Sequence, residues 1–96
     1  MKGYWLILGL PITDKDAQAE YGKLWAPIAQ RYGARLNPGK VPVLTEAREA
    51  TRVVVVEFPS LAQAKACYDD PEYGEAMQHA LKAAGRQLVM FEGELA

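Results

Sequence analysis

The chain has 96 residues, of which 50% are hydrophobic and 24% charged, so it is expected to form one small domain over residues 1–96 rather than a disordered or low-complexity chain. Eleven Lys and Arg against twelve Asp and Glu give a formal net charge of -1 without a block of like charge, which argues against nucleic acid or a membrane surface as partner. The apolar run near the amino terminus ends at Pro11, too early for a membrane span or a good secretory signal, and a cytoplasmic location is expected.

Few side chains are suited to metal or disulfide chemistry. Cys67 is the only cysteine and His79 the only histidine, so the chain cannot form an internal disulfide and lacks the ligands of a tetrahedral zinc site. Helical spacing places Cys67 on an inner apolar stripe and His79 toward solvent. Phosphate-binding loops and the HExxH and GxSxG motifs are absent from the sequence. We therefore predict no metal site and no cofactor.

The chain begins with a pattern that predicts a strand followed by a helix. Lys2–Leu10 is apolar at both alternating sets of positions, which is typical of a strand covered on both faces. Thr13 is the expected N-cap of the helix, with Asp16 three residues later completing a capping pair. Gly33 is expected to end this helix in the left-handed conformation.

The middle of the chain predicts extended structure and a turn. Ala34–Leu36 is expected to form a short strand, Asn37–Lys40 a turn, and Val41–Leu44 a further extended stretch. Thr51–Phe58 is β-branched and apolar on both faces, so we place it as a strand inside the sheet.

Two helices and a strand complete the pattern. Ser60 with Gln63 forms a capping box for one helix, and Asp70 with Pro71 starts the next. The inner stripe of that second helix is predicted to comprise Tyr73, Met77, Ala80, Leu81 and Ala84. The final strand is predicted at Arg86–Glu92.

This order of elements is the split βαβ pattern of an α+β ferredoxin-like sandwich. Right-handed crossovers place the helices on one face of a four-stranded antiparallel sheet. Because two of the strands are apolar on both faces, the opposite face would present an apolar patch large enough for an interaction. We therefore expect a homodimer in which a second copy covers this open sheet face.

Four segments carry a resemblance to a known family: Gly3–Trp5, Tyr32–Arg35, Arg52–Ser60 and Tyr68–Tyr73. Through them the chain resembles the bacterial family named domain of unknown function 1330, which is similar to the dimeric α/β-barrel superfamily. The resemblance implies two ferredoxin-like protomers that join their sheets. By analogy with superfamily members that are monooxygenases, isomerases or decarboxylases, it also raises the hypothesis of a cofactor-independent enzyme.

Glu57 is the candidate acid or base of such an enzyme. It ends an otherwise apolar strand, where a partly buried carboxylate could abstract a proton. The alternative is a structural ion pair with Arg35, Arg48 or Arg52. Under the enzyme hypothesis Glu57 or a tyrosine, with Tyr68 as the candidate, moves the proton, and Arg35 or Arg52 holds an anionic group.

Large aromatic side chains are numerous for so small a domain. Together with the arginines, the candidate ligand contacts are Tyr4, Trp5, Tyr21, Trp25 and Tyr73, which could line a cavity between sheet and helices. The competing interpretation is that these rings only fill the core and a dimer interface. The sequence thus leaves two hypotheses, a binder of a small aromatic or carbonyl-bearing molecule and a cofactor-independent enzyme.

Overall fold

Strands and helices follow one another along the chain in the order predicted from the sequence. A computed structural model describes residues 1–39 and 42–95. Its elements are β1 (Lys2–Gly9), α1 (Lys15–Arg31), β2 (Arg35–Leu36), β3 (Arg52–Phe58), α2 (Leu61–Asp69), α3 (Pro71–Ala83) and β4 (Arg86–Gly93). The sheet has the order β2-β3-β1-β4 with antiparallel neighbours throughout. This is the ferredoxin-like α+β fold expected from the element order, with β3 in the interior of the sheet as predicted and β1 beside it.

Alternation along the strands divides the sheet into two faces. In β1, Trp5 and Ile7 point toward the helices, and their cross-strand neighbours in β3 are Val56 and Val54. We call this the helix face. The other side, which we call the open face, carries the intervening residues Tyr4, Leu6 and Leu8 of β1, Val53, Val55 and Glu57 of β3, and Val89 and Phe91 of β4.

The core lies between the helix face and the three helices. Trp5, Phe58 and Tyr73 are fully buried there, together with Ile28 of α1 and Val56. Burial of such side chains contributes about 1.5–3 kcal/mol each to folding. No helix within the described ranges, 1–39 and 42–95, is long and apolar enough to cross a membrane.

The N-cap of α1 differs from the prediction. The Asp14 carboxylate accepts a hydrogen bond from the backbone N–H of Ala17 at 2.9 Å, so Asp14 is the N-cap and the Thr13 assignment is wrong. Thr13 instead donates both its backbone N–H, at 2.8 Å, and its hydroxyl, at 3.3 Å, to the carbonyl oxygen of Ala83. A tertiary contact with the end of α3 therefore decides between two neighbouring residues that are both good caps.

The remaining helix ends agree with the sequence. Ser60 Oγ accepts from the backbone N–H of Gln63 at 3.1 Å, and Asp70 Oδ1 accepts from that of Glu72 at 2.8 Å. Gly33 has φ +66°, the left-handed conformation expected after α1.

One member of the predicted inner stripe of α3 faces outward. Leu81 is 53% exposed, whereas Ala76 and Ala83 are fully buried. The buried stripe runs through Tyr73, Ala76, Ala80 and Ala83, and Leu81 lies off its centre by more than about 100°. The small alanines let α3 pack closely against α1, and Leu81 remains on the surface.

The connection between β2 and β3 contains less extended structure than predicted. Asn37 has φ +48°, its N–H donates to the Val55 carbonyl oxygen at 2.6 Å, and its side chain accepts from the Val55 N–H at 3.0 Å. Residues 42–44 form no strand, and Val43 is 86% exposed. Lys40 and Val41, which belong to the predicted turn and extended stretch, lie outside the described residues.

Gly3 is the position where β1 passes closest to the start of α2. A Cβ atom there would lie 2.5 Å from the Leu61 Cα and from the Ser60 carbonyl oxygen. Because both are backbone atoms, they cannot rotate aside, and we expect Gly3→Ala to lower the free energy of unfolding by about 2 kcal/mol. Chemical denaturation measures this. Gly93→Ala, whose Cβ would meet no atom within 4 Å, is the matched control and should change stability by less than about 0.5 kcal/mol. Equal losses in the two variants would contradict the packing argument.

Candidate functional site

A cavity of about 250 Å³ lies between the helix face and helices α1 and α3. Trp5, Tyr21 and Trp25 form its aromatic wall. The rest of the lining is mainly aliphatic, with two arginines at one end: Ile7, Gln18, Gly22, Leu36, Arg52, Val54, Val56, Ala80, Ala84 and Arg86. We call this the helix-side cavity. An apolar enclosure with a few polar groups is the usual composition of a small-molecule site.

The aromatic wall follows from the spacing of residues in α1 and β1. Tyr21 and Trp25 lie one helical turn apart on the same side of α1, and their rings stack with centroids 6.4 Å apart and planes 6° apart. Trp25 also packs against Trp5, with centroids separated by 5.6 Å. The three rings therefore form one continuous surface from the helix to the centre of the sheet.

Trp5 also makes contacts in the core, outside the cavity. Its indole N–H donates to the carbonyl oxygen of Ala64 at 3.1 Å, which satisfies the buried nitrogen. The ring also packs against Phe58, Tyr73 and Tyr68, with centroid distances of 4.9, 5.1 and 5.9 Å. Tyr68 and Tyr73 are thus core neighbours of Trp5, and neither lines the cavity.

Arg86 and two tyrosines form a hydrogen-bonded chain at the cavity. Arg86 Nη2 donates to the Tyr73 hydroxyl oxygen at 2.9 Å, and the hydroxyl groups of Tyr73 and Tyr21 lie 3.1 Å apart. The Arg86 guanidinium also lies over the Tyr21 ring, 5.8 Å from its centroid. Burial raises the pKa of Tyr73, so its phenol stays protonated near neutral pH.

Arg52 occupies the same end of the cavity as Arg86. Both residues are cross-strand neighbours of Gly9, one on each side. The Arg52 guanidinium lies across Gly9, because a Cβ at that position would be 2.6 Å from Nη2 and 2.9 Å from Cζ. Arg52 Nε is buried and has no hydrogen-bond partner among residues 1–39 and 42–95. Across those same residues, neither arginine forms an ion pair with a carboxylate.

Glu57 lies on the open face, away from the cavity. It is 3% exposed, and its carboxylate accepts from the Tyr4 hydroxyl at 3.1 Å and from Arg35 Nη1 at 3.4 Å. Tyr4 in turn accepts from the backbone N–H of Leu95 at 2.8 Å and stacks on Phe91, with ring centroids 5.2 Å apart. Of the ion-pair partners considered for Glu57, the structure shows Arg35, whose side chain is 66% exposed.

The predicted site residues therefore fall into three groups. Trp5, Tyr21, Trp25 and Arg52 share the helix-side cavity. Tyr68 and Tyr73 pack behind it in the core. Tyr4, Arg35 and Glu57 form a network on the open face, so the structure does not bring together the two candidate catalytic residues, Glu57 and Tyr68.

Arg86 is the charged cavity residue that the sequence does not single out. The sequence places it at the start of the final strand and predicts no role for it. The signal that identifies it is register, because it pairs with Gly9 and lies on the helix face like Leu88 and Met90.

Neither Cys67 nor His79 contributes to the cavity. Cys67 is fully buried, and desolvation raises the pKa of its thiol to about 12, which leaves it unreactive as a nucleophile. His79 is partly buried on α3 and lies outside the cavity lining. Within the described ranges no group of three or more His, Cys, Asp or Glu side chains is arranged to hold a metal ion.

A larger concavity of about 550 Å³ lies beside residues 47–50, where Leu8, Leu10, Arg86 and Gln87 form its other walls. It is shallower and more polar than the helix-side cavity and contains no aromatic ring. Enclosure and aromatic surface supply most of the affinity for a small ligand, so we assign the candidate site to the smaller cavity.

Comparison with solved structures shows a similar fold in other proteins. A protein of unknown function from Rhodopseudomonas palustris, a structural genomics target, is 23% identical, with a TM-score of 0.68 over 99% of this chain and 84% of that chain. A dimeric ferredoxin-like protein of unknown function from Jannaschia sp. CCS1 is 15% identical, with a TM-score of 0.72 over 97% and 100%. Another dimeric ferredoxin-like protein of unknown function, from Thermobifida fusca YX, is 17% identical, with a TM-score of 0.56 over 95% and 91%. No curated protein matches the chain.

At these identities the likeness concerns the fold, and it confirms the ferredoxin-like architecture. Family membership comes from the sequence, because the family model described as domain of unknown function (DUF1330) matches residues 2–94. That match confirms the resemblance carried by the four segments. The chain belongs to the DUF1330 family.

Proposed function

We propose that the protein binds a small molecule with an aromatic or carbonyl-bearing body in the helix-side cavity. The observation that carries the proposal is the aromatic wall of Trp5, Tyr21 and Trp25 around about 250 Å³ of space. An apolar cavity of about 150 Å³ is large enough to hold one benzene ring, so this space accommodates a single-ring molecule with a short side chain. The stacked rings offer such a ligand flat apolar surfaces.

Filling the cavity should abolish binding. Ala80 is 7% exposed and lines the cavity from α3, so the ring of Ala80→Phe would occupy the space of the ligand. The chain has only two tryptophans, both in the cavity wall, so their fluorescence reports on occupancy. We expect the wild type to bind phenylacetamide saturably and Ala80→Phe to bind it more than about tenfold more weakly, because steric exclusion removes the ring's contacts.

The matched control is Ala66→Phe, which adds the same ring on the exposed side of α2. Its affinity for phenylacetamide should equal that of the wild type. Thermal melts establish that both variants fold, and Ala80→Val replaces Ala80→Phe if the larger ring prevents folding. Unchanged affinity in the folded cavity variant would contradict the proposal.

We propose that the protein acts as a homodimer formed through the open face. Leu6, Leu8 and Val53 on this face are partly exposed, and Val89 is 55% exposed. A continuous apolar sheet surface of this kind is characteristic of an interface. The solved neighbours from Jannaschia and Thermobifida are described as dimeric, which supports a second copy as the occupant.

A charge on the open face should separate the protomers. Val89→Glu places a carboxylate within the proposed interface, where burying it would cost several kcal/mol, and we expect a monomeric mass by light scattering at micromolar concentration. Leu81→Glu is the control, because Leu81 is 53% exposed on the outer side of α3. That variant should remain dimeric. A wild-type monomer, or a dimer that survives Val89→Glu, would overturn the proposed interface.

Proton transfer by Glu57 or Tyr68 is the alternative function. The structure favours binding over this alternative, because the Glu57 carboxylate is engaged by Tyr4 and Arg35 on the opposite side of the sheet from the aromatic cavity.

Deuterium exchange at the methylene group of phenylpyruvate, followed by NMR in heavy water, tests proton transfer by Glu57. We expect the wild type and Glu57→Gln to exchange within about twofold of each other, because no residue placed in the cavity is a carboxylate base. Loss of a protein-dependent exchange in Glu57→Gln, but not in a Glu92→Gln control, would favour the enzyme.

A further inference from the structure

The helix-side cavity contains more positive charge than its own residues neutralise. Arg52 and Arg86 lie on the helix face on either side of Gly9, in strands β3 and β4. Two strand spacings separate their backbones by about 10 Å. Both side chains line the same cavity, so one end of the cavity is cationic and the other is aromatic.

Two arginines outside the cavity, Arg31 and Arg35, have carboxylate partners. Arg31 lies 3.1 Å from both the Asp70 and the Glu72 carboxylates, and Arg35 lies 3.4 Å from Glu57. Within the part of the chain that the structure describes, Arg52 and Arg86 have no such partner. A partly buried guanidinium ordinarily finds an anion, so this pair leaves a place for one.

The Gly9 position fixes where the Arg52 guanidinium lies. The absence of a side chain at Gly9 lets the group cross β1, and a Cβ would come within 2.6 Å of Nη2. Arg52 Nε is buried yet has no hydrogen-bond partner among the described residues, so at least one strong donor is unsatisfied. An unsatisfied buried donor destabilises the protein unless a ligand supplies the acceptor.

Arg86 is held in place by a different set of contacts. One of its nitrogens donates to Tyr73, and its guanidinium rests on the Tyr21 ring. A guanidinium has five N–H donors, more than these two tyrosines can accept, so it can also bind an acceptor in the cavity. Because Tyr21 also stacks on Trp25, the cationic end of the cavity is continuous with the aromatic wall.

We infer that the ligand of the helix-side cavity is a small aromatic or aliphatic carboxylate whose anionic group is held by Arg52 and Arg86 at Gly9. This inference rests on the proposed function, since it specifies the chemistry of the molecule that the cavity binds. The planar fork of a guanidinium matches the two oxygens of a carboxylate. The apolar part of the ligand then lies over Ile7 and Val54, against Trp25.

Phenylacetate and phenylacetamide form a matched pair of probes, because they differ in charge but hardly in shape. Tryptophan fluorescence titrations at neutral pH measure both affinities. We expect wild-type protein to bind phenylacetate at least about tenfold more tightly than phenylacetamide, since charge-assisted hydrogen bonds are about twice as strong as neutral ones. The preference should decrease as the salt concentration rises.

Variants at two positions test the residues involved. Arg52→Gln should weaken phenylacetate binding about tenfold or more while leaving phenylacetamide within about twofold, because only the charged probe loses its partner. Gly9→Ala should give the same pattern by displacing the Arg52 guanidinium. Gly93→Ala is the control for an added methyl group in a strand, since its Cβ would meet no atom within 4 Å, and it should behave as wild type.

The outcomes separate this inference from the proposed function. If the wild type binds both probes equally, or Arg52→Gln weakens both equally, the anion site is wrong and the cavity remains a binding site for neutral molecules. If neither probe binds to the wild type, both the proposed function and the anion site are wrong. Circular dichroism establishes folding of each variant, and Gly9→Ala keeps the test decisive if Arg52→Gln does not fold.

Discussion

The packing of the helices on the helix face depends on the indole of Trp5. The hydrogen bond from its N–H to the Ala64 carbonyl oxygen joins β1 to α2, while its ring contacts Trp25 of α1 and Tyr73 of α3. One side chain in the centre of the sheet therefore holds all three helices, and burial of a ring of that size contributes more than any single aliphatic residue. The same ring forms a wall of the helix-side cavity, so Trp5 is part of both the core and the candidate site. A change at Trp5 would alter both together.

The order of side-chain sizes along β1 explains why the cavity lies where it does. Gly3, Trp5, Ile7 and Gly9 face the helices in turn, so the strand presents large residues in its middle and none at its ends. At Gly3 the missing side chain admits the backbone of α2, and the space is filled. At Gly9 it admits the guanidinium of Arg52, a residue that lines the helix-side cavity. A glycine thus admits a helix backbone at one end of β1 and an arginine side chain at the other.

Most of the fold could be predicted because it is encoded locally. Runs of apolar and β-branched residues predict the interior strands, and the capping residues Ser60 and Asp70 predict two helix starts, which their hydrogen bonds confirm. Thr13 could not be distinguished from Asp14 as a cap, because a contact with Ala83 about seventy residues away decides between them. The aromatic part of the candidate site could also be predicted, because it too depends on local spacing along the chain.

Tyr21 and Trp25 share a helical face by their spacing. Glu57 and Tyr68 are alternative candidates for proton transfer, but no local pattern shows that the Glu57 carboxylate lies on the open face and that Tyr68 packs in the core beside Trp5. Placing Arg86 at the cavity requires the register between β1 and β4, which no local pattern contains.

The formal net charge of -1 does not indicate the charge of the cavity, since it sums acids and bases that lie far apart. Arg31 and Arg35 pair with the Asp70, Glu72 and Glu57 carboxylates, whereas Arg52 and Arg86 beside Gly9 pair with no carboxylate among the residues that the structure describes. On the proposed anion site, a carboxylate that binds only the folded state stabilises it in proportion to the logarithm of its concentration. The ligand then completes a polar network that the chain leaves unfinished, so occupancy and stability of this domain are coupled.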